Sequence, residues 1–399
     1  MNTIEPEEII KETGIIRLPY RFYIPNAKEE LESVCYDGAY EKYGKPLPKQ
    51  IESRLQEELH QIGKYCLEHM YLLPIKLSEK CKELNSILLT RGCAGNSLVM
   101  YLGGVTPVNP LPPHYYCPVC KFVEFVIDAD CKSGFDLLHP DIDAKCPKCG
   151  AKLTSDGNHL DYEFLLGSDG SKLPIIEFDI DFKDQQELVD YLKTFLTSEE
   201  ELAKTNIKTE LILISSDIIP LLKKLETATG IPAENIDPTQ IDIASFFVNG
   251  DFEGIPLEKD YYQKMLPKNF SDMVTLSGLK QGTWVNDIKE LLNEGTSYRD
   301  MIAFRDDVMT DLRRLGLSKP EAFRFAEIVR KGKAVKFSEE LLQLTSSHGV
   351  PQSYIESMKN VLYLFPKAHT TEWILNVCKL IWYKTFYPAE FKSIISKEV

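Results

Sequence analysis

Apolar and polar positions alternate along this chain in two different rhythms. From Lys49 to Lys82 the rhythm is helical: Ile51, Leu55, Leu59 and Ile62 recur at spacings of three and four. Pro46 and Pro48 stand before them as start punctuation. A glycine-rich loop follows, Arg91 to Ser97 (RGCAGNS), then an apolar run to Gly103-Gly104. Thr106 to Pro113 (TPVNPLPP) is too rich in proline for a helix or a central strand, so it is expected to be a rigid connector. Ile175 to Phe182 (IIEFDIDF) alternates apolar and acidic residues with period two, which predicts a strand. Thr209 to Ile214 (TELILI) predicts a second. After residue 216 the pattern is helical, with loops near 229–238, 248–258, 277–286 and 347–352. The expectation is an α/β N-terminal half followed by an all-α C-terminal half, without internal repeats.

Composition adds a real core. Apolar residues make up 43% of 399, enough for two or three domains. The start, MNTIEPEEIIKETG, has neither a basic region nor an apolar run, and no stretch has the length of a membrane span. A cytoplasmic protein without membrane contact is expected. The net charge of −14 argues against a general polyanion binder, but it is uneven. Residues 299–399 hold 16 Lys and Arg against 12 Asp and Glu, whereas the rest of the chain carries −18. Any phosphate contact is therefore expected in the C-terminal quarter.

Four of the ten cysteines form two pairs, Cys117-Pro-Val-Cys120 and Cys146-Pro-Lys-Cys149, with 25 residues between them. Each CxxC turn sets two thiolates on one side of a tight loop. Two such turns complete a tetrahedral shell with no open position, which predicts a structural zinc ion. Cys131 and His114 lie nearby and are expected to be spectators. Glu177, Asp179 and Asp181 share one strand face. Clustered carboxylates of this kind hold the paired magnesium ions of phosphoryl-transfer enzymes, and they equally form the solvated face of an edge strand. In RGCAGNS, Arg91, Ser97 and the backbone amides are candidates for phosphate oxygens. Arg330, Lys331 and Lys333, with Lys336, form a basic turn; Lys367 and His369 in Phe365-Pro366-Lys367-Ala368-His369 form a second.

Together these segments resemble the PolC-type DNA polymerase III alpha subunit, the C-family replicative polymerase of Gram-positive bacteria. The resemblance is carried, in order, by YDGAYEKYGKPLPKQIESRLQEEL from Tyr36, RGCAGNS, VNPLPPHYYCPVCK from Val108, SGFDL from Ser133 and KCPKCGAKL from Lys145. It continues through FSDMVTLSGLKQGT from Phe270, FRDDVM from Phe304, VRKGK from Val329 and LFPKAH from Leu364. It implies a palm with a zinc-bearing thumb-side insertion and helical fingers. It places the RGCAGNS loop and the two basic turns on the nucleotide and template side. The implied division is 1–110 palm-like, 111–165 zinc module, 166–215 shortened palm remainder and 216–399 fingers-like.

The departures concern the aspartates. Where the family reads Val-Pro-Asp-Ile-Asp-Leu-Asn-Phe, this chain reads LPIIEFDIDF from Leu173. Direct register puts Ile175 and Glu177 at the aspartate positions; a two-residue insertion puts Asp179 and Asp181 there. The family's third aspartate falls on Ile212, which cannot ligate magnesium, so Glu210 or Asp217 would have to substitute. Only about 30 residues separate the two strands, where the resemblance implies a long glycine-bearing segment. The expected function is a PolC-type homologue without polymerase activity that binds DNA, as primer-template or single strand, or replication proteins. The alternatives are a minimal DNA-directed DNA polymerase using Asp179, Asp181 and Mg2+, and a protein-interaction module alone.

Overall fold

The computed structural model describes residues 9–10, 15–19, 22–126, 131–140, 142–167, 176–196, 210–286, 288–293 and 295–396. The chain forms two units: residues 1–242, 252–256 and 375–399 make the first, and residues 243–251 and 257–374 the second.

The first unit is built on a five-stranded sheet: β1 (Ile9–Ile10), β2 (Ile15–Pro19), β3 (Leu89–Thr90), β7 (Ile176–Ile180) and β8 (Glu210–Ser215), in the order β1-β2-β8-β7-β3. β7 and β8 are parallel and the remaining pairs antiparallel. Alternation works as expected on β7: Phe178 and Ile180 are fully buried, and Glu177 and Asp179 take the other face. Pro174, Ile175 and Thr209 lie outside the described residues.

Three helices, α1 (Ala27–Tyr43), α2 (Lys49–Lys64) and α3 (Glu68–Glu83), share one apolar core with that sheet. The helix expected over Lys49–Lys82 is thus two helices. The chain breaks at Tyr65–Leu67, where Cys66 adopts a left-handed conformation (φ 53°) and Leu67 N–H bonds back to Ile62 O. Two short helices follow, α4 (Leu98–Leu102) and α5 (Glu163–Leu166). Between them a small three-stranded antiparallel sheet, β4 (His114–Tyr116), β5 (Val123–Phe125) and β6 (Thr154–Asp156), carries the cysteine turns. Helices α6 (Gln185–Lys193) and α7 (Ile218–Thr229) complete this part of the chain.

The second unit is helical: α8 (Ile243–Asn249), α9 (Lys259–Met265), α10 (Phe270–Gln281), α11 (Ile288–Asn293), α12 (Arg305–Arg314), α13 (Lys319–Arg330), α14 (Glu339–Ser347) and α15 (Gln352–Asn360). It departs from the purely helical half that the periodicity predicts. Thr283–Trp284 (β9) pairs antiparallel with Val361–Tyr363 (β10), a ribbon closed across most of the unit. Helix α10 also continues to Gln281, inside a segment expected to be a loop. Helix α16 (Lys367–Phe386) leads out of the second unit, and α17 (Pro388–Ile395) packs on α7 in the first. No helix among the described residues is long and apolar enough to cross a membrane.

Candidate metal centre and acidic strand

The cysteine turns are near-copies of one another. Each first cysteine accepts a backbone N–H from beyond its partner: Lys121 N–H to Cys117 O (3.0 Å) and Gly150 N–H to Cys146 O (2.9 Å). Both of those donors have left-handed backbone, φ 59° at Lys121 and 74° at Gly150. The result brings four sulfurs together. Cys117 and Cys149 Sγ lie 3.5 Å apart, Cys120 and Cys146 Sγ 3.4 Å apart, and all four fall within 4.8 Å of one another. Four thiolates bound to one ion at about 2.3 Å would stand roughly 3.8 Å apart, so the set fits a tetrahedral metal. The Cys120 amide N–H, aimed at Cys117 Sγ from 3.5 Å, pulls that thiol down to about 6. Cys117 and Cys146 are buried and pack with Leu153, while Cys120 and Cys149 reach solvent. Cys131 Sγ points instead at Ser133 O (3.3 Å).

A buried polar cluster fastens this module to the helices. The Asp156 carboxylate on β6 accepts from Lys42 Nζ (2.6 Å), Tyr101 Oη (2.7 Å) and Asn109 Nδ2 (3.0 Å). Burial alone would raise its pKa, but the Lys42 ammonium and His114 outweigh burial and hold it down to about 2. Lys42 also lies over the Tyr116 ring, 4.5 Å from its centre. His114 is fully buried. Its Nε2 meets Tyr43 Oη (3.2 Å) and its Nδ1 meets Pro112 O (2.8 Å), which leaves no nitrogen for a metal. No sequence signal marks this cluster: Lys42 reads as one more helical lysine, and Asp156-Gly157 as a turn.

The RGCAGNS loop is occupied from within. Ser97 is 1% exposed; its hydroxyl donates to Glu58 Oε2 (2.8 Å) and accepts the Met100 N–H that starts α4. The Leu98 and Val99 amides also donate to Glu58, at 3.0 and 3.2 Å. Arg54 Nε completes the set at 2.7 Å. Ser97 and the amides that follow it, where the sequence suggests a phosphate contact, therefore hold a side-chain carboxylate, a similar chemical complement to those donors. Glu58 lies seven residues on from Ile51 and four before Ile62, on the stripe of α2 that is buried, but the periodicity does not tell what its carboxylate meets there.

Arg91 leaves the loop in the other direction. Its N–H bonds Glu177 O (3.0 Å), and its guanidinium pairs with Asp179 at 3.0 Å. Burial, together with Glu177, raises the Asp179 carboxyl above its ordinary value against the pull of Arg91. Asp181 is 5% exposed, caps the turn that follows β7 through Lys183 N–H (3.1 Å) and pairs with Lys183 Nζ (3.1 Å). The parallel register sets Ile212 beside Glu177 and Ile214 beside Asp179. Either alignment thus meets isoleucine on the neighbouring strand. Asp217 is exposed just before α7, and Glu210 opens β8. Among the described residues, the four cysteines are the one group of three or more acidic, His or Cys ligands gathered this closely. Asp179 is matched by Arg91 and Asp181 by Lys183, and the adjoining strand sets isoleucine beside Glu177 and Asp179, so this strand pair does not itself supply the converging carboxylates that hold two magnesium ions.

In the second unit the two basic turns converge. Leu364 N–H donates to Arg330 O (3.3 Å), which seats the segment leading into Lys367 beside the Arg330–Lys336 turn. Glu327 draws Arg330 (3.1 Å), Lys331 (3.5 Å) and the buried Arg305 to itself. Arg330 is therefore directed inward, while Lys331 and Lys333 remain exposed. His369 lies against Phe365, ring centres 5.3 Å apart.

Residues 29–209 match the family described as "Bacterial DNA polymerase III alpha NTPase domain". Across 97% of its length the chain is 29% identical to the DNA polymerase III PolC-type of Mycoplasmopsis pulmonis, covering 34% of that protein. The chain is PolC-like. It is likewise 28% identical, over 92% of its length, to the PolC-type enzyme of Caldanaerobacter subterraneus, and 27% identical over 92% to that of Streptococcus agalactiae. The chain spans about a third of the length of these PolC-type relatives. The Mycoplasmopsis match runs over 502 positions although the chain has 399 residues, so that relative carries internal stretches that this PolC-like chain lacks.

Proposed function

We propose that the chain is a PolC-type homologue acting in DNA replication by binding DNA or replication proteins, without catalysing nucleotide addition. In this reading the sheet of the first unit is the palm counterpart, the cysteine module is a thumb-side element holding structural Zn2+, and the helices of the second unit are the fingers counterpart. One observation carries it: β8 presents Ile212 and Ile214 beside Glu177 and Asp179, and Arg91 neutralises Asp179. Two-metal phosphoryl transfer depends on carboxylates converging from neighbouring strands onto the ions, and without that electrostatic clamp most of the rate is lost. Exposed Lys331 and Lys333, with Lys367 nearby, support a DNA-facing role for the second unit.

The test is primer extension with Mg2+ by metal-loaded protein, beside an Asp179→Ala/Asp181→Ala control. No extension from either protein is expected, together with a gel shift of primer-template at low salt. Extension abolished in the control would instead establish a minimal polymerase. Absence of any shift at low salt would remove DNA from the reading and leave interaction with proteins.

A further inference from the structure

The first unit holds a cavity of about 780 Å3 that the reading above does not use, and every residue lining it belongs to that unit. Its volume falls within the range of small-molecule sites, about 300–1,000 Å3. The floor is apolar: Leu88, Val105, Ile236 and Leu375 are all buried. Two hydroxyls in the wall, Ser86 and Ser155, are buried and have no hydrogen-bond partner. A buried donor that meets nothing costs stability, so each marks a place where something outside the chain can complete the bond. The turn after α3 sets Ser86 in place. Asn85 is left-handed (φ 52°), its N–H bonds Lys82 O (3.0 Å), and Ser86 N–H bonds back to Cys81 O (2.8 Å). Lys82 is tied to the same turn. A Cβ on Gly104 (φ +70°) would lie 3.2 Å from Lys82 Nζ, so glycine there leaves room for the ammonium on the wall. Of the acids in the wall, Asp156 is matched by Lys42, Glu226 by Lys223, and Asp237 caps the Thr239 amide, while Glu234 faces solvent. Lys80 pairs with Glu83 and Glu187, but Lys82 has no carboxylate partner among the described residues.

We propose that this cavity binds a small organic acid: Lys82 and Ser86 take the carboxylate, and Leu88, Val105, Ile236 and Leu375 take its hydrocarbon body. One unpaired ammonium beside one unpartnered hydroxyl matches a single negative charge through charge-assisted hydrogen bonds. The other lysines of the wall are engaged, Lys42 and Lys223 by their acids and Lys379 by Asn376 Oδ1 (3.0 Å), so a polyphosphate would bring more charge than the wall can answer. The floor favours hydrocarbon over a sugar, because apolar surface removed from water is what it can stabilise. The site stands apart from the DNA-binding reading and does not depend on it.

The experiment is calorimetric titration of the full-length protein with sodium decanoate, for which one saturable site is expected. Lys82→Gln should weaken binding by about 10- to 150-fold, the range of a hydrogen bond to a charged group. Ser86→Ala should weaken it by about tenfold or more on the same ground, and leave the thermal midpoint unchanged or higher, since its hydroxyl has no partner in the free protein. Decanol, with the same chain and no charge, should bind more weakly than decanoate, and alike to wild type and Lys82→Gln. Lys82 is exposed and Ser86→Ala removes only a hydroxyl, so folding is not at stake. Absence of saturable decanoate binding, decanol binding as tight as decanoate, or wild-type affinity in either variant overturns the proposal. So does deoxyadenosine triphosphate that displaces decanoate and is itself weakened in both variants, which would make the cavity a nucleotide site.

Discussion

Removal of Glu58 tests how firmly the RGCAGNS loop is committed to the interior. Its carboxylate is 1% exposed and takes four donors: Arg54 Nε, Ser97 Oγ and the amides of Leu98 and Val99. Glu58→Ala leaves the Arg54 guanidinium without its counter-charge and strands three further donors. Breaking a buried pair from one side costs about 3–5 kcal/mol. Arg54 keeps two carbonyl acceptors, Asn96 O and Leu160 O, and the Tyr162 ring, so about 4 kcal/mol is expected rather than more. Arg54→Ala should cost about 3 kcal/mol by the same argument. The double variant should cost about 2–3 kcal/mol less than the two added, because it removes the uncompensated charge. Glu58→Gln keeps an acceptor and should lose only about 2 kcal/mol. The two units need not unfold together, so the readout must belong to the first. Trp382, bonded to Gln240 (2.8 Å), is the single tryptophan of the first unit, and a Trp284→Phe/Trp373→Phe background makes its emission specific in urea titrations. A loss below about 1 kcal/mol for Glu58→Ala, or strict additivity in the cycle, would refute the account of this loop as internally satisfied.

Two further outcomes follow from the module. Asp156 has its pKa depressed from 3.8 to about 2, so its pairing contributes fully above about pH 4 and is lost as pH falls through 2. That is worth about 2 kcal/mol, and Asp156→Asn should flatten the acid limb of a Trp382-monitored stability curve between those values. If the four cysteines hold the zinc ion proposed for them, Cys117→Ser or Cys149→Ser should release it, measured by a chromogenic chelator, and speed amide exchange in β4 and β5 while the large sheet keeps its protection. Uniform loss of protection would mean that the metal holds the whole first unit.

The parts legible in the sequence were those encoded by short-range spacing. Two CxxC turns place four sulfurs because the geometry is local to each turn, and β7 is readable because burial on one sheet face enforces alternation over five residues. The parts that were not legible depend on what packs against a residue. The spacing sets Glu58 on the inward stripe of Ile51, Leu55 and Ile62, but nothing in the pair of Arg54 and Glu58 names the loop amides that its carboxylate caps. The break at Cys66 is set by a left-handed residue that is neither glycine nor asparagine, so it leaves no mark in the text. The ribbon joining Thr283–Trp284 to Val361–Tyr363 pairs segments about 78 residues apart, beyond any periodicity window. The acidic strand stands between these cases. Its register against β8 decides its chemistry, and that register is a tertiary fact.

The return of α17 to α7 has a consequence for synthesis. Chain growth reaches Thr229, at the end of α7, about 160 residues before Pro388 opens the helix that covers it. At about 5–20 residues per second, the apolar face of α7, with Ile219 and Leu222, waits roughly 8–30 s for its partner. The second unit has time to fold completely in that interval. The first unit, though begun earlier, is finished last, and nascent chains arrested before α17 should be the ones that chaperones hold.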